Sequence, residues 1–310
     1  MTKSSRQAAI AGYLKRDDGI DWKGLTDYAN SMYDVRDELE VADVEDNFDI
    51  ETAQKAIKSK TPYLTLRPLQ INPAEFRKDL QKLQDAFIEK GVINVDEQVA
   101  KLKALDWNKL TDATIKLAGE DPTAFYEVAT KEVLGEEADE DMMAVIAGLL
   151  LNVLRRYFRN LGEDMTHELS KVDEAKSGDA PLGCPTCGAP AAISSVSEGT
   201  EGNSNNRYLF CSCCGTQWPF ERIRCALCGN TNSNKLKYVY ADEDPAHRMH
   251  VCEDCGGAMA TVFQDALKGP MDYDIELITT GVILRFVGRR GKTVRKNLIL
   301  ESGFGRFYFF

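Results

Sequence analysis

The chain has 310 residues, a hydrophobic content of 43% and a formal net charge of −11. This composition is ordinary for a globular protein with two domains, or with one large domain and smaller modules. No apolar run approaches the roughly 20 residues that a bilayer-spanning helix needs. The first residues also lack the apolar core of a secretory signal. We therefore expect a cytoplasmic protein without membrane insertion. The acidity makes nucleic acid a poor candidate partner, since phosphate neutralisation supplies most non-specific affinity.

Charge and cysteine content both change near residue 180. Residues 1–183 contain 36 acidic and 24 basic side chains, whereas residues 184–310 contain 13 and 14. All nine cysteines lie in the second part. The sequence KSGDAPLG at 176–183 has the composition of a linker. These shifts predict a boundary between a domain of residues 1–180 and the cysteine-rich remainder.

Residues 1–180 show the periodicity of α-helices. Apolar residues recur every three or four positions over 74–91, and Gly91 is a suitable residue for the end of that helix. Asp121 and Pro122 are typical of a helix start. The sequence therefore predicts a helical N-terminal bundle.

The most apolar segment of this region spans residues 140–162. It is apolar on most faces, which predicts a helix at the centre of the bundle. Residues 66–73 contain two prolines and are predicted to form an extended connector. The region contains no phosphate-binding loop, zinc-protease motif or catalytic-triad pattern. We expect it to serve as a scaffold or a docking surface, and we expect the protein not to be an enzyme.

Eight of the nine cysteines form four CxxC pairs, which make up two copies of one unit. In each copy 23 residues separate the two pairs, and a shift of 41 residues superimposes one copy on the other. A glycine follows each pair and permits the tight turn that aims two thiolates at one metal. The pattern predicts two tetrahedral four-thiolate metal sites, one in each repeat. The predicted ligands are Cys184, Cys187, Cys211 and Cys214 in the first site, and Cys225, Cys228, Cys252 and Cys255 in the second.

Each repeat is expected to fold as a small metal module, the first over residues 181–221 and the second over 222–264. Short β-like runs beside the cysteines suit the hairpins of a zinc-ribbon or rubredoxin-like fold. About 40 residues are too few for a stabilising core, so the metal must contribute folding energy. A cross-braced arrangement, with pairs exchanged between sites, remains an alternative.

Two other residues, Cys213 and His250, could take part in the chemistry of these sites. Cys213 stands between two predicted ligands and is expected to be a bystander, with a redox or persulfide-carrying role as the alternative. His250 could replace a ligand, because it lies two residues before Cys252. His247 and His167 are expected to be surface or capping residues.

The second CxxC pair is followed by the sequence QWPFERIRC. Trp218 and Phe220 are expected to form the core of the small module and the joint between the repeats. Arg222 and Arg224 lie at this joint, where they could meet an acidic partner or a negatively charged metal–thiolate cluster.

Residues 265–310 are predicted to form a β-like C-terminal tail, with strands at 276–286 and 293–300. Between the predicted strands lies a Gly-rich turn. The final residues, GFGRFYFF, are expected to pack into a groove between domains, or else to be presented to a partner. The segment 285–296 forms a basic patch that suits a solvated hairpin, or a contact with an acidic partner or with the protein's own acidic helical half. Its basic residues are Arg285, Arg289, Arg290, Lys292, Arg295 and Lys296.

The order of these features resembles the formate dehydrogenase accessory proteins of the FdhE type. The matching stretches are CPTCGAP (184–190), LFCSCCGTQW (209–218), RIRCALCGN (222–230) and VCEDCGG (251–257). The aromatic chain end also matches, whereas residues 265–303 depart from the family pattern. The resemblance implies a helical domain followed by two tandem rubredoxin-like modules, with the eight paired cysteines as ligands of iron or zinc.

The resemblance further implies an assembly factor that binds the catalytic subunit of a formate dehydrogenase and assists its maturation. Two other functions remain open at this stage. One is a redox protein in which two iron–thiolate centres pass electrons to a partner. The other is a zinc-ribbon protein that binds nucleic acid, although the acidity and the lack of an aromatic and basic face argue against it.

Overall fold

The computed structural model of the chain describes residues 3–40, 48–135, 140–171, 179–197, 206–241 and 243–289. A helical N-terminal region is followed by one sheet and a further helix, which confirms the predicted α+β class. The α-helices of these residues are α1 (Lys3–Tyr13), α2 (Trp22–Glu38), α3 (Ile50–Ser59), α4 (Tyr63–Leu66), α5 (Pro73–Glu89), α6 (Asp96–Lys103), α7 (Asp112–Ala118), α8 (Pro122–Leu134), α9 (Glu140–Tyr157), α10 (Arg159–Ser170) and α11 (Tyr273–Arg289).

Two predicted helices are present as the sequence indicates. α5 begins after Asn72, whose side chain accepts hydrogen bonds from the first turn, and Gly91 adopts a φ of 70° just beyond its end. α8 begins at Pro122, and the Asp121 side chain accepts from the backbone N–H groups of Thr123 and Ala124. In both cases a short polar side chain satisfies N–H groups that the first turn leaves without partners.

The apolar segment 140–162 forms two helices rather than the single one predicted. α9 ends at Tyr157, and α10 begins at Arg159. A Cβ at Gly162 would lie 2.0 Å from the carbonyl oxygen of Cys214, so α10 runs directly against the first metal module. The break turns the chain from the bundle centre onto that module, a contact that the local sequence pattern does not reveal. α9 still occupies the centre of the bundle, because Ile146, Leu149 and Val153 are fully buried.

The two cysteine repeats share one sheet. Its strands are β1 (Ile193–Ser197), β2 (Asn206–Phe210), β3 (Gln217–Phe220), β4 (Leu236–Ala241), β5 (Asp244–Cys252) and β6 (Ala258–Phe263). The strand order is β3-β2-β1-β6-β5-β4. Each repeat supplies three antiparallel strands, and the parallel pairing of β1 with β6 joins them, with Ser195 opposite Val262. The limits 181–221 and 222–264 for the modules stay predictions.

A continuous hydrophobic core extends from the helical bundle into the first repeat. It includes Phe76 and Leu149 of the bundle, and also Leu209, Cys211 and Trp218 of the repeat. A smaller cluster, with Phe210 stacked on Tyr273 at 4.4 Å between ring centroids, joins the sheet to α11. The first repeat therefore shares its core with the helical bundle.

The predicted strand at 276–286 is wrong, because these residues lie in α11. The Asp272 side chain accepts from the N–H groups of Asp274 and Ile275 and so caps the helix. Ile275 and Ile278 recur at helical spacing and are buried. The β-branched residues of this segment favour a strand locally, but packing against α1 and α2 overrides that preference. The predicted strand at 293–300, most of the basic segment 285–296 and the aromatic end lie outside the described residues.

Charged side chains attach α11 to the N-terminal helices. Arg36 of α2 contacts Asp274 of α11 at 2.8 Å between Nη2 and Oδ2, and both side chains are buried. Burial opposes the charge of Asp274, but the Arg36 guanidinium dominates and lowers the pKa of this carboxyl to about 2. The C-terminal helix is thereby an integral part of the helical region.

Candidate metal centres

The four cysteine pairs have the same backbone hydrogen bonds. In each, the N–H of the first cysteine donates to the carbonyl five residues later, over 2.8 to 3.0 Å. The N–H of the following glycine donates to the carbonyl of the first cysteine, over 2.8 to 2.9 Å. The four glycines have φ between 72° and 82°, a region that other residues rarely adopt. Each pair is therefore a knuckle that directs two sulfurs to one side.

The first candidate centre gathers Cys184, Cys187, Cys211 and Cys214. The Sγ atoms of Cys184 and Cys214 are 3.4 Å apart, and those of Cys187 and Cys211 are 3.5 Å apart. All four side chains are at most 2% exposed. Thr216 Oγ1 lies 3.0 Å from the Cys214 sulfur and 2.6 Å from Thr186 Oγ1.

The second candidate centre gathers Cys225, Cys228, Cys252 and Cys255. Its Sγ separations are 3.8 Å, both between Cys225 and Cys255 and between Cys228 and Cys252. Cys225 and Cys252 are buried, whereas Cys228 and Cys255 are exposed. The two centres therefore share a ligand set but differ in their access to solvent.

The geometry of both groups suits a tetrahedral metal ion. Metal–sulfur distances of about 2.3 Å place the four sulfurs about 3.8 Å apart. All sulfurs of each group lie within 4.8 Å of one another. The grouping follows the repeat, and the cross-braced alternative is not the arrangement observed. The two clusters are capable of binding metal, and the role of each cysteine as a ligand stays a prediction.

The protonation of the first group also favours a bound cation. Burial raises the pKa of Cys184 well above its ordinary value. Burial opposes ionisation of Cys214 too, yet hydrogen bonds from the neighbouring thiols and from Thr216 lower its pKa well below the usual range. A divalent cation compensates the charge of all four thiolates, which is the form that binds metal.

Hydrogen bonds join the helical region to both knuckles of the first centre. The N–H groups of Tyr63 and Leu64 donate to the carbonyls of Pro185 and Thr186, over 2.8 and 3.0 Å. The N–H of Gln217 donates to Thr166 Oγ1 over 3.0 Å. These contacts hold both knuckles of this centre from α4 and α10.

One cation of the helical region lies beside this centre. Arg155 of α9 donates from Nη1 to the carbonyl of Cys211 over 3.2 Å, and its guanidinium lies 5.2 Å from the centre of the Phe210 ring. A Cβ at Gly215 would lie 2.2 Å from Nη1 of Arg155. The position of Arg155 could not be predicted, because nothing in cysteine spacing indicates which distant helix covers a knuckle.

The odd cysteine, Cys213, is buried but is not in either group of four. Burial raises the pKa of nearby Tyr126 well above its ordinary value, and Cys213, followed by Cys211 and Cys187, adds to that rise. His250 is buried and stacks on Tyr238 with 4.8 Å between ring centroids. Among the described residues, no histidine belongs to either candidate site. The observed geometry gives Cys213 and His250 positions outside the ligand sets.

His247 departs from its predicted surface or capping role. It is 2% exposed, and its two ring nitrogens face two carboxylates. Nδ1 lies 2.8 Å from Asp244 Oδ1, and Nε2 lies 2.9 Å from both Glu276 Oε2 and the Tyr13 hydroxyl. Burial lowers the pKa of His247, but the two carboxylates outweigh burial and raise it to about 9. The imidazolium thus links β5 to α11 and α1.

The other predicted residues are distributed around the joint between the repeats. Trp218 is fully buried and donates from Nε1 to the carbonyl of Pro181, so it packs in the shared core rather than in a core of the module alone. Arg224 pairs with Glu221 at 3.1 Å. Arg222 is exposed, as is His167 in the last turn of α10. Arg222 is thus an exposed cation three residues before the predicted ligand Cys225 in the chain.

The fold and the site define a class of protein: a helical domain joined to a tandem pair of four-cysteine knuckle modules. Within the described residues, no helix has the length and apolar content that crossing a bilayer requires.

Comparison with known proteins finds similarity to proteins named FdhE. The family model of the FdhE central domain matches residues 183–222. A protein named FdhE homolog from Glaesserella parasuis is 29% identical over 203 residues, which cover 64% of this chain and 59% of that protein. Protein FdhE of Escherichia coli is 35% identical over 92 residues, covering 29% of this chain and 28% of that protein. These alignments span less than two thirds of the relatives' own length.

A solved structure is similar over most of the chain. The crystal structure of the FdhE protein from Pseudomonas aeruginosa covers 92% of this chain and 89% of that one, with a TM-score of 0.52 and 15% identity. At this identity the similarity shows a shared fold. The resemblance to the FdhE family that the sequence motifs indicate is confirmed.

Proposed function

We propose that the protein is a cytoplasmic accessory factor that binds the catalytic subunit of a formate dehydrogenase and assists its assembly or activation. The observation that carries this proposal is the paired four-cysteine modules, the first of which coincides with the match to the FdhE central domain. The similarity of the whole fold to an FdhE structure supports the same conclusion. In this role the protein is a binding partner and not an enzyme.

The chemistry of the two sites supports a role without direct metal catalysis. Four thiolates would fill the tetrahedral coordination of a bound iron or zinc and leave no position for a substrate. When bound, zinc would supply folding energy alone, whereas iron would also permit one-electron transfer. The residues that would hold the metal are the eight paired cysteines. The knuckle hydrogen bonds orient their sulfurs, and α4 and α10 exclude water from the first site.

A second function, an iron–thiolate protein that passes electrons to its partner, is favoured by one observation. Cys228 and Cys255 are exposed, so the edge of the second centre is accessible to another protein. The two functions differ in the metal that they require. Anaerobic purification and metal analysis distinguish them, because ferric four-thiolate sites absorb visible light and zinc sites are colourless.

An anaerobic affinity purification tests the proposed function. The tagged protein is recovered from formate-grown native cells, beside a strain that carries the tag alone. We expect a formate dehydrogenase catalytic subunit in the first eluate and not in the second. Deletion of the gene is expected to reduce formate dehydrogenase activity, and re-expression is expected to restore it. Unchanged activity after deletion, or an eluate without the catalytic subunit, would overturn the proposal.

A further inference from the structure

Among the described residues, one side of the second centre is exposed, and we call it the open knuckle surface. It comprises Leu227, Cys228, Asp254, Cys255 and Gly256, all of which are exposed. Leu227 is 39% exposed, and the nearby Ile223 is 58% exposed. Within the described residues, a Cβ at Gly256 would meet no atom within 4 Å. The surface combines two metal-site thiols, a carboxylate and apolar side chains.

The equivalent surface of the first centre indicates which kind of side chain fits the open knuckle surface, and we use it as an internal template. A shift of 41 residues places Gly256 on Gly215 and Cys252 on Cys211. At the first centre, Arg155 of α9 covers Gly215 and donates to the Cys211 carbonyl. The Gly256 N–H makes the same turn bond to the Cys252 carbonyl that Gly215 makes to Cys211, over 2.9 Å in both. The second centre thus reproduces the knuckle that receives Arg155, and in the part of the chain that the structure describes no helix takes the place of α9 there.

The charge of the open knuckle surface also favours an arginine side chain. Four thiolates around a divalent cation carry a net negative charge. Asp254, which corresponds to Cys213 of the first repeat, adds an exposed carboxylate between two of the predicted ligands. Arg224 lies near the other knuckle, at Gly229, but it is paired with Glu221 and donates to the Ala180 carbonyl. The open knuckle surface is therefore complementary to a cation, and a guanidinium can donate to a carboxylate and a carbonyl together.

The apolar residue Leu227 of this surface has a counterpart in the first repeat that is buried. Leu227 corresponds to Thr186, which is fully buried where Leu64 of the helical region donates to its carbonyl. Leu227 itself packs over Gly257, where a Cβ would lie 2.4 Å from its Cδ1. At the second centre an apolar side chain has replaced a polar one and faces solvent. At the first centre, Arg155 of α9 covers one knuckle, and a Cβ at Gly188 of the other knuckle would lie 3.3 Å from Cγ of Pro62, the residue before α4. A cation and an apolar ring therefore both lie against that centre.

We propose that the open knuckle surface binds a partner polypeptide that presents an arginine beside an apolar side chain. The arginine lies against Gly256 and donates to the Cys252 carbonyl and to Asp254, and the apolar side chain covers Leu227. The partner covers the second centre as α9 covers the first. The arginine and the apolar side chain define the chemistry of the partner surface, whatever the identity of the partner.

A peptide that copies the internal template tests this proposal. The probe is a labelled synthetic peptide with the sequence of residues 152–164, which contains Arg155 and its apolar neighbours. It is titrated by fluorescence anisotropy against the full-length, zinc-loaded protein at low ionic strength. The matched probe carries Arg155→Gln. We expect saturable binding of the first peptide and binding at least about tenfold weaker for the second.

Protein variants locate the binding surface. Asp254→Lys is expected to weaken binding at least about tenfold and Asp254→Asn to weaken it less. Glu89→Lys makes the same charge change on an exposed position of the helical region and is expected to leave binding unchanged. Circular dichroism and a metal content of the wild-type level verify each variant.

Several outcomes would overturn the proposal. They are no saturable binding, equal binding of the Arg155→Gln peptide, or equal weakening by Glu89→Lys. Sedimentation of the zinc-loaded protein examines the other occupant, a second copy of the chain. A dimer that Asp254→Lys dissociates would replace the proposed partner with self-association.

Discussion

The two candidate metal centres share a knuckle geometry, but the surroundings of the two centres differ. At the first, every sulfur is buried, and α4, α9 and α10 contact the knuckles. At the second, two of the four cysteines are exposed. Duplicated sequence has therefore produced one centre embedded in the main core and one at the surface. Identical ligand spacing therefore does not fix the role of a metal site. The surroundings of the site decide which part of the protein it stabilises and which molecules can reach it.

The largest expected effect comes from removing one ligand at equivalent positions of the two repeats. Cys184→Ser disrupts a centre within the main core, so we expect the free energy of unfolding of the whole chain to fall by roughly 3–5 kcal/mol. Cys225→Ser is the matched variant at the second centre. We expect it to unfold the second module while the helical signal in far-ultraviolet circular dichroism is kept. Urea unfolding followed by circular dichroism checks both, and equal global losses would contradict the contrast between the centres.

The next effect concerns the attachment of the second module to the helices. The raised pKa of His247 means that its contribution to stability is present below about pH 6.5 and is lost as the pH rises through about 9. The loss amounts to about 3 kcal/mol at most. Unfolding of the metal-loaded protein at a series of pH values between 6 and 10 measures this slope. His247→Gln is expected to flatten it, whereas His167→Gln, at an exposed position, serves as the control and is expected to retain it.

A smaller difference is expected in the rate of metal loss. Exposed thiols at the second centre admit a chelator, whereas extraction from the first centre requires the core to open. We expect one metal equivalent to leave at least about tenfold faster than the other, a difference of roughly 1.4 kcal/mol in activation free energy. Stopped-flow absorbance with a chromogenic chelator resolves the two phases. The fast phase should vanish in Cys225→Ser and persist in Cys184→Ser; a single phase for two equivalents would refute the asymmetry.

The smallest expected effect is that of Cys213→Ala. Cys213 is buried outside both ligand sets, so its removal should leave the metal content unchanged and lower stability by about 1 kcal/mol through lost packing. Metal analysis and thermal unfolding measure these quantities. Loss of one metal equivalent would instead make Cys213 a ligand of the first centre.

The sequence predicts the parts of this protein that depend on local or repeated patterns. The knuckles, the grouping of the cysteines and helices such as α5 and α8 follow from spacing, capping residues and periodicity. The cover over the first centre could not be predicted, because Arg155 and Tyr63 reach the cysteines from elements that are distant in sequence. The helical form of residues 276–286 was missed for the same reason. Its β-branched residues favour a strand until contacts with α1 and α2 decide otherwise.

His247 illustrates a further limit of sequence analysis. A lone histidine before a cysteine pair gives no sign of a partner, yet Tyr13 and Glu276 meet it from opposite ends of the described chain. Its burial and its raised pKa depend on three elements that lie together only in the folded protein. Spacing therefore predicts the metal groups themselves, and tertiary contacts decide their environment.

The pairing of α1 with α11 has a consequence for the order in which the chain acquires its structure during synthesis. Tyr13 of α1 donates to Glu276 of α11, and Ser5 donates to Asp272 just before that helix. More than 250 further residues must therefore be synthesised before the partners of Tyr13 and Ser5 leave the ribosome. Loop closure over such a distance is slow relative to local helix formation. Until it occurs, both knuckle modules have emerged beside a helical bundle that still lacks α11.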